Sequence, residues 1–176
     1  MSYTEEQREV LEAIGLTLLM LQTSEKIIRI CMTFVIQKQA SLTFDLYKQQ
    51  EEAEKKKTIG YFLAELRKRV DVDDSLDELL VDFLNNRNSF VHDLSSFEAW
   101  DFHKNKSALQ SKKLVFDFMK QTDKVMKIFA GLILSWQEQV QTQTDRLGPV
   151  LPNHEWFNEV DSVYKPLMDR LFFAKD

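Results

Sequence analysis

Cysteine occurs once in this chain of 176 residues, at Cys31, which excludes an internal disulfide and any zinc site built from cysteines. Four glycines and three prolines supply too few tight turns for a sandwich or a barrel, so long helices are expected instead. No apolar run is long enough to cross a bilayer, and the start Met1-Ser2-Tyr3-Thr4-Glu5-Glu6 lacks the basic and apolar regions of a signal peptide. The expectation is a cytoplasmic protein without a membrane partner. Histidine is scarce as well: His92, His103 and His154 show no metal-binding spacing, so neither a metal nor a cofactor is expected. The net charge of −5 argues against general coating of a polyanion, because non-specific nucleic-acid binding grows with the number of phosphates neutralised.

What is present is apolar periodicity. A hydrophobic fraction of 44% closes a substantial core, and the length fits one domain over residues 1–176. Thr4 with Gln7 forms a capping box that opens a long first helix, continuing to about Gln39 with a bend near Thr23-Ser24. Its inward seam is traced through Ile14, Leu18, Leu21, Glu25, Ile28, Met32 and Val35, with Cys31 as a buried thiol beside it. A polar helix over Ser41 to Lys57 precedes one capped by Thr58, with Ile59, Phe62, Leu63, Leu66 and Val70 on one side. Asp71 to Asp74 reads as a loop. Ser75 and Glu78 make a second capping box, opening a helix over about 75–92 whose seam passes through Leu76, Leu80, Phe83, Arg87, Phe90 and Leu94. A second long helix is expected from about Ser107 to Asp145, with Leu109, Val115, Phe118, Val125 and Phe129 inward. A last helix, about 154–173, is an add-on that Pro166 kinks or breaks. The sum is an all-α, up-and-down bundle of five to six helices, two of them long and antiparallel.

Two charged residues break the apolar seams. Glu25 lies on the first and Arg87 on the other, and an unpaired charge on a packed stripe is costly, so each is expected to meet a partner. Arg87 also stands five positions before His92, in Asn86-Arg87-Asn88-Ser89-Phe90-Val91-His92. Three basic sets are candidates for RNA contact or for solvated helix faces: Lys55-Lys56-Lys57, Arg67-Lys68-Arg69, and the scattered Lys104, Lys106, Lys112 and Lys113.

Leu84 to His92, late in a helix of an all-helical chain, resembles the Arg-polar-x-x-x-His signature of HEPN domains, and Thr58-Ile59-Gly60-Tyr61-Phe62-Leu63 resembles the segment that often precedes the motif helix. In layout the resemblance covers roughly the first 150 residues, and it is specific at the motif. It implies a metal-independent endoribonuclease for single-stranded or loop RNA, with two motifs meeting across a homodimer, in bacterial defence or a toxin–antitoxin system. An antitoxin or regulatory protein is the further partner class it implies. Such cleavage needs a base for the ribose 2′-hydroxyl, an acid for the leaving 5′-oxygen and a fixed cation on the phosphate. His92 suits base or acid, and Arg87 suits the phosphate. Asn88, one turn before His92, is placed to orient the imidazole, and Glu25 to pair with Arg87 and position it. Five residues turn an ideal helix by about 140°, so Arg87 and His92 reach one phosphate together only if the helix ends early or a second copy contributes. Toxins of the HepT kind carry a tyrosine two places after the histidine; here that place is Leu94, so neutralisation by modification of that residue is not expected. The other reading of the same layout is a non-catalytic interaction or regulatory module, favoured if the basic clusters do not serve the Arg87 and His92 surface.

Overall fold

The computed structural model describes residues 3–36, 57–97, 100, 108–144 and 155–174. The fold is all-α, with a single pair of three-residue strands among the described residues. The helices are α1 (Glu5–Ile30), α2 (Ile59–Arg69), α3 (Asp74–His92), α4 (Ala108–Thr144), α5 (Glu155–Glu159) and α6 (Met168–Leu171). Strands β1 (Val70–Val72) and β2 (Phe172–Ala174) pair antiparallel, Val70 opposite Ala174 and Val72 opposite Phe172. Among the described residues no helix is long and apolar enough to cross a membrane.

The contacts group the chain into two compact units, residues 1–25 with 78–125 and residues 26–77 with 126–176. In the first unit α1 starts at the expected capping box: the Thr4 amide donates to Gln7 Oε1 (3.0 Å) and the Gln7 amide to Thr4 Oγ1 (3.3 Å). The buried side of α1 differs from the expected seam. Val10, Ala13, Thr17, Leu21 and Ser24 are buried, while Leu18 is exposed. That face is turned by about 60° from the one read off the large apolar residues. Two hydroxyls make this possible. Thr17 donates to the Ala13 carbonyl (2.7 Å) and Ser24 to the Leu21 carbonyl (2.7 Å), so neither brings an unmet donor into the core. The helix continues through Thr23 and Ser24, where the bend was expected.

The same unit contains α3 and the first half of α4. Leu80, Phe83 and Phe90 of α3 are buried, and Phe118 of α4 lies 6.2 Å from the Phe83 ring and 5.0 Å from the Phe90 ring. Asn86 donates to Gln121 (2.9 Å), so advancing along α3 means retreating along α4. Lys112 in the first turns of α4 pairs with Glu9 in the first turns of α1, while the far end of this part of α1, Glu25, lies level with Arg87. The two long helices therefore run in the same direction here and not antiparallel as expected; α3 is the return leg that opposes α4. Leu109, expected inward, is exposed on the first turn of α4.

In the second unit the first helix continues as a wide turn over Cys31–Val35, and Arg69 at the end of α2 donates through Nη1 to the Met32 (3.1 Å) and Ile36 (2.8 Å) carbonyls. These are the orphan acceptors of a helix end, and a guanidinium suits them. Cys31 is buried and donates to the Phe129 carbonyl (3.1 Å), and burial pushes its thiol far above the usual range. Thr58 caps α2 by accepting from the Tyr61 amide (3.4 Å). The segment expected as a loop, Asp71 to Asp74, begins instead as β1, because its flanking valines sit in an extended chain that β2 can pair. The expected last helix is broken into α5, a wide turn (Val160–Tyr164), a tight turn at Lys165–Leu167 containing Pro166, α6 and β2. Proline lacks the amide that a continuous helix needs there. This run presses on Gly131 of α4, where an added Cβ would stand 3.1 Å from the Lys165 amide nitrogen and 3.2 Å from the Tyr164 carbonyl carbon. Lys127 pairs with Glu159 (2.6 Å), and Lys165 with Glu138 and Asp161 (2.6 Å each).

Candidate functional site

The α3 helix is started by Asp73, not by the Ser75 and Glu78 pattern. Asp73 Oδ1 accepts from the Ser75 amide (3.0 Å) and from its hydroxyl, and the Asp73 carbonyl accepts from Leu76 (3.0 Å) and Asp77 (2.9 Å). The Ser75 hydroxyl and amide hold the Asp73 carboxyl below the usual carboxylate range. At the other end, the Asp93 amide still bonds back to Ser89 (2.8 Å), and then Asp93 turns out of the helix with Ser95 on its carboxylate (2.6 Å) and Ser96 on its carbonyl (2.7 Å). His92 is thus the last helical residue, exposed at the carboxyl end of α3.

Arg87 is held from below. Its Nη2 and Nε donate to the same oxygen of Glu25, at 2.7 and 3.1 Å, and its Nη1 donates to Asn88 Oδ1 at 3.2 Å. The Glu25 and Arg87 side chains are 29% and 18% exposed, so the pair is partly withdrawn from water and each charge depends on the other. Of the five N–H bonds of a guanidinium, three are used. One N–H on each terminal nitrogen has no acceptor among the described residues, and guanidinium N–H groups suit the oxygens of a phosphate.

The helix continues to His92, so Arg87 and His92 point about 140° apart around α3, and Asn88 projects between them. Asn88 was expected to face the imidazole; its carbonyl oxygen is instead committed to Arg87, which leaves its amino group outward. Sequence reasoning missed Gln121. Its bond to Asn86 fixes the residue beside Arg87 to α4, and a pair 35 positions apart leaves no local pattern to read.

Most of the described basic candidates are engaged with neighbours. Lys55, Lys56, Lys104, Lys106, His103 and His154 lie outside the described residues. Lys57 donates to the Tyr61 hydroxyl (3.0 Å) and sits over that ring. Arg67 pairs with Asp77 (2.5 Å), Lys68 with Glu65 (2.7 Å), and Arg69 with Glu65 and the carbonyls named above. Lys57, Arg67, Lys68 and Arg69 lie in the second unit, whereas Glu25, Arg87, Asn88 and His92 lie in the first, together with Lys112, which pairs with Glu9, and Lys113, which is exposed. Among the described residues no cluster of histidine, cysteine, aspartate and glutamate is arranged to hold a metal ion. Comparison of the chain with protein families, with curated proteins and with solved structures returns no match.

Proposed function

We propose that this protein is a metal-independent, HEPN-like endoribonuclease that works as a homodimer on single-stranded or loop RNA. The observation that carries the reading is the Arg87 guanidinium, held by Glu25 and Asn88 with one N–H on each terminal nitrogen left over, on the same helix as an exposed terminal histidine. In the proposed reaction a ribose 2′-hydroxyl loses its proton to one imidazole and attacks the neighbouring phosphorus. The 5′-oxygen leaves with a proton from the other imidazole, and a 2′,3′-cyclic phosphate remains. The remaining N–H groups of Arg87 take the charge that gathers on the phosphoryl oxygens. In this reading the second acid–base group is His92 of the other copy, since two-fold symmetry would supply both residues twice and Arg87 and His92 of one copy point about 140° apart. A role in bacterial defence or a toxin–antitoxin system, with an antitoxin or regulatory partner and a cytoplasmic setting, follows from the resemblance at Arg87 and His92 alone.

A second reading, a non-catalytic interaction or regulatory module, is favoured by the internal pairing of Arg67, Lys68 and Arg69, which leaves them poorly placed as a phosphate track. The two readings separate in one assay: purified protein with RNA in excess EDTA, with product ends identified. Cleavage leaving cyclic phosphate and 5′-hydroxyl ends supports the ribonuclease, and intact RNA supports the module.

A further inference from the structure

One face of α4 is buried through Ser111, Val115, Phe118, Thr122 and Val125, and the opposite face carries Leu109, Lys113, Phe116, Lys120 and Lys124 in steps of four, three, four and four. Leu109 is 68% exposed, the three lysines are exposed and Phe116 is half-buried. At the first turns of the helix this face holds a hollow of about 480 Å³ lined by Leu109, Gln110, Lys112, Lys113 and Phe116. Lys113 and Lys124 have no ion-pair partner among the described residues, and Lys120 stands 4.0 Å from Asp117. Lys112 is held by Glu9, with its ammonium 6.0 Å from the centre of the Phe116 ring. We propose that this stripe is the path of a single strand of RNA, one base lying on Phe116 in the hollow and the backbone following Lys113, Lys120 and Lys124.

Lysines interleaved with an aromatic ring suit an unpaired strand, because ammonium groups take the phosphates and the ring takes the face of a base that a duplex would keep stacked inside. An acidic protein segment offers the charges without the flat base. Asp117 answers one of the three lysines, which leaves two for phosphate. From Lys113 to Lys124 the helix rises about 16 Å, the length of about five stacked nucleotides. The stripe also stands at the height of the proposed site. Phe90 of α3 packs on Phe118 and α3 runs against α4, so His92, two residues further on, is level with about Phe116. The choice of ligand rests on the ribonuclease reading; the stripe holds a stretch of that substrate outside the Arg87 and His92 groups and takes no part in the chemistry.

The test is fluorescence anisotropy of the full chain with a labelled single-stranded 2′-O-methyl oligoribonucleotide, which lacks the attacking hydroxyl, so binding is read apart from cleavage. Wild type is expected to bind it more weakly as salt rises. Lys113→Ala, Lys120→Ala and Lys124→Ala combined are expected to weaken binding about tenfold at low salt and to flatten the logarithmic salt slope by about 1 to 2. Phe116→Leu, which keeps an apolar side chain but removes the ring, is expected to weaken binding about fivefold with the slope unchanged. Both variants are expected to keep wild-type far-ultraviolet helicity. A wild type that binds no oligonucleotide, or variants that bind as wild type does, would overturn the proposal. So would a polyglutamate chain that competes as well as RNA, which would mark a docking place for an acidic protein segment. Failure of the ribonuclease reading shows separately, as plain RNA left uncut by wild type.

Discussion

Glu25 and Arg87 show how a single residue pair links packing to chemistry. Both interrupt apolar seams, and burying either alone would leave a charge without compensation, so their meeting at 2.7 Å answers a cost that the sequence already displays. With the Asn88 contact it leaves one N–H on each terminal nitrogen of Arg87 without an acceptor among the described residues, and the proposed function uses these for the phosphate. Glu25→Gln keeps an acceptor but removes the charge that holds the guanidinium. It is expected to lower stability by about 1 kcal/mol in urea unfolding and to slow RNA cleavage by about tenfold or more. A variant with full rate would show that Arg87 needs no such support. This pair was legible because helical periodicity placed both residues on seams. The Arg87 to Asn88 contact was not, because neighbours on a helix do not face each other by spacing, and only the long reach of arginine closes the 3.2 Å bond.

Among the elements, helix ends and close approaches decide where the site stands. Asp73 opens α3, and its carboxyl titrates below the usual range because the Ser75 hydroxyl and amide donate to it. A carboxyl whose folded value is depressed stabilises the fold above its unfolded value, near 4, and loses that contribution as pH falls through the folded value. Asp73→Ala is therefore expected to lower the thermal midpoint at neutral pH, with the gap to wild type narrowing as pH drops below about 4. Gly131 is the other sensitive point. A methyl there meets backbone of the Tyr164–Lys165 turn, so Gly131→Ala is expected to cost about 1 to 3 kcal/mol in urea unfolding despite the better helix propensity of alanine. The lengths of α3 and α4, the caps at Thr4 and Thr58 and the break at Pro166 were readable from spacing and from residues with one strong local preference. Strand β1 was not, because its partner β2 lies about a hundred positions away and three residues carry too short an alternation. The face of α1 was read in part: Leu21, Ile28 and Met32 are buried as expected, whereas Leu18 is exposed and Thr17 and Ser24, whose hydroxyls bond to their own helix, are buried beside them.

For the molecule as a whole, the helical class followed from scarce glycine and proline and from periodicity, which are properties of the entire chain. The direction of the long helices did not, because it depends on how many return legs lie between them, and α3 is the leg that turns α4 parallel to α1 in the first unit. Function is carried by fewer residues than fold, and the account rests on Arg87 and His92 acting on one phosphate. The most direct measurement is RNA cleavage in excess EDTA by wild type, Arg87→Ala and His92→Ala, each first shown to keep wild-type helicity and mass. The account predicts cyclic phosphate ends from wild type and a loss of about a hundredfold or more in rate for each variant. Equal cleavage by all three proteins, or none by wild type, would contradict it.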